Sequence, residues 1–121
     1  MKLPLLVAAG GFLGAICRFG LNNFIQARHH KSFPFGTFTI NVTGSFLLGL
    51  LFAYRHLSSE VLFFLGTGFL GAYTTFSTYE LEAVELIRRG RTIISLIYLV
   101  ISVVIGIIFA YIGYSLGNYF Y

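Results

Sequence analysis

Arg18 lies inside an apolar run reaching from about Leu3 to Phe24. A cation at that depth in a bilayer costs about 2.5–3.5 kcal/mol on insertion scales, so it calls for a role. No acidic residue precedes Glu60 to neutralise it, which suits attraction of an anion. Snorkelling, or bonding backbone carbonyls to fix a helix, is the structural alternative. Asn41 is the next polar group at depth, with Thr37 and Ser45 one helical turn to either side. Such a stripe either bonds neighbouring helices, at about 0.6 kcal/mol per contact, or lines an ion path with an amide donor. Taken alone, it favours bonding between helices.

The segment Gly71-Ala72-Tyr73-Thr74-Thr75-Phe76-Ser77-Thr78-Tyr79 carries the most information. Glycine followed by consecutive β-branched hydroxyl residues at mid-membrane depth favours an unwound turn between two half-helices, which leaves carbonyls without helical donors. Such carbonyls suit a hard cation. Phe76 and Tyr79, three apart, share a helix face, and their ring edges are partially positive; core packing is the commoner use of such a pair. Further on, Tyr98, Ser102 and Gly106 recur every four residues and place a phenol, a hydroxyl and a gap along one face.

Other reactive groups suggest no catalysis. Glu85 is spaced to pair with Arg88 or Arg89, so Glu80, Glu82 and Glu85 read as a solvated helix end. His29, His30 and His56 fall in connections without metal spacing. Cys17 is the single cysteine, a small buried hydrophobe rather than half of a disulfide or zinc site. No nucleophile, base and oxyanion set is visible, so the sequence does not suggest an enzyme.

The elements that must hold these residues are membrane spans. The chain has 121 residues, 57% hydrophobic and 10% charged, with a mean hydropathy of +0.85. At about 20 residues per crossing there is room for four helices and little else. The expected architecture is an all-α membrane protein, residues 1–121 forming one four-helix domain. Continuous apolar runs disfavour a transmembrane barrel, and the 18% aromatic content excludes disorder. The spans run from about Leu3 to Phe24, Pro34 to Tyr54, Val61 to Ile87 and Thr92 to Asn118, with the third broken at its glycine and hydroxyl cluster. The apolar stretch after Lys2 reads as the first span, not as a cleaved signal.

Glycine pairs at four-residue spacing, Gly10 with Gly14 and Gly113 with Gly117, point to close helix packing. The net charge of +4 resides in the connections, which is topology and not a nucleic-acid footprint. Lys2 and Arg55 lie on one side; Arg28, Lys31, Arg88, Arg89 and Arg91 lie on the other, which the positive-inside rule places in the cytoplasm, leaving both termini outside. No internal repeat is present, and four spans enclose too little volume for a pathway, so an oligomer is expected.

Together these residues resemble the Fluc family of fluoride channels, also called CrcB proteins. The likeness covers nearly the whole chain: Gly10, Gly11 and Gly14 before Arg18; Gly36, Thr37, Phe38, Asn41, Gly44 and Ser45; and, most specifically, Gly71 through Thr78. The resemblance implies a passive fluoride channel of the bacterial plasma membrane that lets the ion leave the cytoplasm, built as an antiparallel dimer with two pores. By position, Asn41 would donate its amide to fluoride, Phe76 and Tyr79 would form an aromatic box, Tyr98 and Ser102 would continue the polar track, and Arg18 would sit near the vestibule. The carbonyls of Gly71 and Thr74 from each subunit would hold a central structural sodium that is not transported. Fluoride is small and strongly hydrated, so selecting it requires close donors that replace water yet release the ion.

Two features depart from the family pattern. It has phenylalanine where Tyr79 stands, so a hydroxyl enters the box and either alters that track or marks it as unused. The charge bias is the other: single-gene members insert in both orientations, whereas paired members have fixed, opposite orientations and form heterodimers. The dimer partner is thus a second copy or an oppositely oriented homologue, and a non-conducting subunit is a further reading. A small multidrug exporter also has about four spans, but its proton chemistry needs a glutamate in the first span, where this chain carries Arg18 and no acid.

Overall fold

The computed structural model describes residues 2–28, 33–54 and 56–120; His29, His30, Lys31, Ser32 and Arg55 of the connections lie outside the described residues. Everything secondary in them is helical. Helix α1 spans Lys2–Arg28 and α2 spans Phe35–Ala53. The third apolar segment, Ser59–Arg88, comprises α3, residues 59–73, and α4, Ser77–Arg88. Helix α5 is Thr92–Phe120. These segments supply four helical spans long and apolar enough to cross a membrane. Helices of 27 and 29 residues are about 40 Å long, more than the hydrocarbon core, so they tilt or project beyond it. That length explains why α1 continues to Arg28, past the apolar boundary near Phe24.

Local chemistry sets the ends. Phe35 opens α2 after Pro34, whose carbonyl accepts from the Phe38 N–H at 3.1 Å. Ser58 caps α3 through its side-chain oxygen, which accepts from the Val61 N–H at 3.3 Å. Between α4 and α5, Gly90 adopts φ +79°, and the Arg91 N–H returns to the Leu86 carbonyl at 2.8 Å. This left-handed turn favours glycine and reverses the chain within a few residues. The hydrophobic pattern gave no sign of one property of α3: its turns over Leu62–Leu70 are wide and π-type, and the Gly71 N–H faces the carbonyls of both Gly66 and Gly68.

The glycine pairs do what their spacing suggests. A Cβ on Gly10 would strike the Phe64 carbonyl, and one on Gly14 the Phe69 carbonyl, because α1 and α3 cross backbone to backbone. In the same way, a Cβ on Gly49 would strike the Ala110 carbonyl and one on Gly113 the Phe46 carbonyl where α2 meets α5. Lipid gives no hydrophobic drive for association, so close van der Waals contact and short interhelical approach must supply it. The chain therefore contains two latched helix pairs, α1 with α3 and α2 with α5.

Two buried clusters tie the helices further, one packing α4 against α5 and the start of α2, the other packing α2 against α3. Tyr79, Ala83, Leu86 and Tyr98 pack with Phe33 and Phe38, and the Ser95 hydroxyl donates to the Ala83 carbonyl at 2.8 Å inside this cluster. Ile40, Leu70 and Tyr73 form the other cluster. The Thr43 hydroxyl donates toward the Thr39 and Ile40 carbonyls, so the 2.8 Å bond between the Tyr73 and Thr43 hydroxyls has Tyr73 as donor. Lys2 and Glu60 meet at 2.6 Å and place the starts of α1 and α3 at one end of the bundle. Both side chains are exposed, so the pair contributes at most about 1 kcal/mol. Arg28, Arg88 and Arg89 end their helices at the opposite end. Cys17 is exposed, not buried as the sequence reading has it.

Candidate functional site

Helical pairing lapses between Tyr73 and Ser77, where Thr74 is extended at φ −83°, ψ 157°. Asn41 supports this stretch from α2 with two hydrogen bonds. Its Nδ2 donates to the Thr75 carbonyl at 2.9 Å, and its Oδ1 accepts the Thr75 N–H at 2.9 Å. In a continuous helix that N–H would serve the Gly71 carbonyl. The Thr78 N–H, which would serve the Thr74 carbonyl, goes to the Thr75 Oγ1 at 3.2 Å. Both carbonyls, Gly71 and Thr74, are thus released from their helical donors by side chains that take the N–H groups. A carbonyl oxygen relieved of its helical donor can serve as one ligand of a hard cation.

A cavity of about 440 Å³ lies against this stretch, at the seam between the two helix pairs. It gathers Asn41 and Ser45 of α2, Gly71 of α3, Thr74 and Phe76 of the extended stretch, Tyr79 of α4 and Ser102 of α5. The Ser102 Oγ is buried without a hydrogen-bond partner among the described residues. Asn41 spends one amide hydrogen on Thr75 and keeps a second. The Phe76 ring is 69% exposed on the open side. It lies 5.8 Å from the Tyr79 ring at an interplanar angle of 39°. The Tyr79 hydroxyl points away and donates to the Leu99 carbonyl at 2.7 Å. Such a wall offers an amide N–H, a hydroxyl and aromatic ring edges, all of which stabilise a small anion and none of which carries charge.

Tyr98 serves a different place from Ser102, although one turn separates them. Its ring is fully buried, 5.2 Å from Tyr79 and 5.4 Å from Phe33. Its hydroxyl donates to the Glu82 carboxylate at 3.2 Å, and the Thr37 hydroxyl bonds to the same carboxylate. Glu82 therefore corrects the reading of the three glutamates as one solvated helix end. Glu85 does face Arg88 and Arg89, each at 3.7 Å. Glu82, nearly one turn deeper, is held instead by two hydroxyls. A carboxylate inside a span was the signal available, but the nearby arginines masked it.

Arg18 lies apart from the first cavity. It borders a second one of about 620 Å³ together with Asn22, Thr37, Thr75 and Thr78. Thr75 belongs to both cavities and, clamped by Asn41, stands between them. Asn22 was not singled out by its sequence context. Its Oδ1 is buried without a partner among the described residues, and the lack of a side chain on Gly36 makes room for it.

The site can be set beside known proteins. The family model described as CrcB-like protein, Camphor Resistance (CrcB), matches residues 5–114. A protein of Bacillus cereus named fluoride-specific ion channel FluC 2 is 49% identical over 94% of this chain and 96% of its own length. Fluoride-specific ion channel FluC 1 of Listeria innocua is 43% identical over 93% and 95%, respectively. A third relative, FluC 1 of Carboxydothermus hydrogenoformans, is 42% identical over 96% and 94%. These names are those of channels and not of enzymes, and four spans with bacterial relatives mark a multi-pass protein of a bacterial membrane. With the family model matching residues 5–114 and a relative 49% identical over 94% of its length, the chain belongs to the CrcB family.

Proposed function

We propose that the chain forms a fluoride-selective channel that lets the ion leave the cytoplasm down its gradient and so lowers its toxicity. The observation that carries this reading is the cavity in which Asn41, Phe76, Tyr79 and the unpartnered Ser102 hydroxyl meet. Fluoride gives up its hydration only to close donors, and an amide, a hydroxyl and ring edges replace that water. Arg18, beside the second cavity, draws anions toward Thr75. Tyr98 acts behind the wall, tied to Glu82.

The path is completed by an antiparallel dimer in the bilayer. One chain leaves the cavity open and Phe76 exposed, as expected of a half-site that a second subunit closes. At the centre, the carbonyls of Gly71 and Thr74 from both subunits would hold a structural sodium, which supplies fixed positive charge and joins the interrupted segments. By sequence, Arg28, Lys31, Arg88, Arg89 and Arg91 on one side, against Lys2 and Arg55 on the other, favour a fixed orientation. That bias supports a second reading in which the partner is an oppositely oriented homologue.

Fluoride efflux from liposomes holding the purified chain alone tests the reading, with chloride efflux as control. Rapid fluoride release without chloride release is expected of a self-sufficient channel. Silence alone and rescue by an oppositely oriented homologue support the heterodimer. Silence in both preparations overturns the assignment.

A further inference from the structure

The turn between α4 and α5 gathers charge that the rest of the bundle does not use. Arg88, Arg89 and Arg91 stand within four residues. Gly90 at φ +79° and the 2.8 Å bond from the Arg91 N–H to the Leu86 carbonyl fold the turn tightly, so three guanidiniums leave one knuckle. Among the described residues only Glu85 pairs with them, and it is divided between Arg88 and Arg89 at 3.7 Å each, near the outer limit of an ion pair. Those two side chains remain 75% and 71% exposed. Arg91 is exposed and has no ion pair among the described residues. Like charges held this close repel one another unless an anion is shared between them. Immediately inward of the knuckle the surface turns apolar. Leu81 and Val84 of α4 are exposed on the helix stripe that leads to Arg88, seven and four residues before it. On α5, Ile93 and Ile97 are exposed one turn apart. The two helices are tied side by side by the Ser95 hydroxyl, which donates to the Ala83 carbonyl. Along this pair the surface passes from hydrocarbon to guanidinium within about two helical turns.

We propose that this strip holds an anionic phospholipid, its phosphate shared by Arg88, Arg89 and Arg91 and an acyl chain lying along Leu81, Val84, Ile93 and Ile97. The knuckle joins the end of one membrane span to the start of the next, so in a bilayer its neighbours are lipid headgroups. A phospholipid has the same order of polarity as the strip, and the planar fork of arginine matches phosphate oxygens in pairs. The continuity of charge with apolar surface selects a lipid over a soluble anion, which would leave the apolar stripes unused. Net charge selects among lipids: a zwitterionic headgroup brings an ammonium against three guanidiniums, whereas an anionic one brings none. The inference does not depend on the fluoride-channel reading, and its test reads no ion flux.

The test incubates the purified full chain in detergent with increasing phosphatidylglycerol or phosphatidylcholine, passes it through size exclusion, and counts the retained lipid by mass spectrometry of the extract. Phosphatidylglycerol should be retained saturably and phosphatidylcholine should not. Each arginine beside an anionic headgroup strengthens binding about fivefold, so Arg88→Gln, Arg89→Gln and Arg91→Gln together should weaken phosphatidylglycerol on the order of 100-fold. Equal retention of the two lipids, or undiminished retention in the triple variant, overturns the proposal. Salt gives a readout on the wild type that does not require the variant to fold. Raising it from about 0.1 M to about 1 M shortens the screening length from about 10 Å to about 3 Å and should release the lipid, and retention unmoved by salt overturns the proposal. Thermal unfolding separates the sources of phosphate: phosphatidylglycerol should raise the melting temperature, and inorganic phosphate alone should leave it unchanged. An equal rise with inorganic phosphate would assign the knuckle to soluble anions and overturn the lipid site.

Discussion

Asn41→Asp changes one atom of the clamp on Thr75 and tests two consequences together. The carboxylate can still accept the Thr75 N–H, but the donor to the Thr75 carbonyl, now at 2.9 Å, is gone. An oxygen is left facing an oxygen, which costs about 1–3 kcal/mol for the unpaired carbonyl. The larger effect is on the ion. Taking about 5 Å between carboxylate and fluoride and an effective dielectric near 20, the repulsion is 332/(20 × 5), or about 3.3 kcal/mol. That slows passage by more than about 100-fold. A fluoride electrode on proteoliposomes reads the rate, and Asn41→Ala separates the contributions by removing both bonds without adding charge. Efflux from Asn41→Asp within threefold of wild type would refute the placement of Asn41 on the path. Equal, complete loss in both variants would assign its importance to the clamp.

Three further outcomes follow from the packing. Gly14→Leu drives a side chain into the Phe69 backbone, so it should lower the melting temperature in detergent severely, by more than the 1–3 kcal/mol of ordinary overpacking. Gly71→Val is different, because a Cβ there meets only the Gly66 carbonyl at 3.8 Å. It should leave the protomer's melting temperature nearly unchanged but reduce the dimer fraction measured by single-molecule photobleaching; wild-type dimerisation and flux would count against the central sodium. Glu82→Leu orphans the Tyr98 and Thr37 hydroxyls and should cost about 2–3 kcal/mol in thermal unfolding, whereas Glu82→Gln keeps an acceptor and should cost under about 1 kcal/mol.

What the sequence made legible was what local periodicity and composition encode. Apolar length gave the four spans, glycine spacing gave both backbone crossings, and consecutive hydroxyl residues drew attention to residues 71–79. Contacts distant in sequence were not legible. Asn41 and Thr75 are 34 residues apart, and nothing near either residue announces that an amide side chain will satisfy both backbone groups of the other. The wide turns of α3 leave no mark on the hydrophobic pattern because that segment is apolar on every side. Tyr98 and Ser102 share a helix face, yet a carboxylate from α4 captures the first and leaves the second to the cavity. Helical spacing says which residues look the same way, not what they will find there.

The glycine crossings bear on how the cavity could change width. Within each latched pair, backbones touch, and neither helix can slide or rotate without its partner. The cavity lies between the pairs, spanned by the Asn41–Thr75 bonds and the hydrogen bond from Tyr73 to Thr43. Any breathing of the wall is therefore the displacement of one stiff plank against another, resisted by these hydrogen bonds and by the packing of Ile40 against Leu70 and Tyr73. Substitutions that tune the passage should cluster along that joint, while the glycine faces stay intolerant of any added carbon.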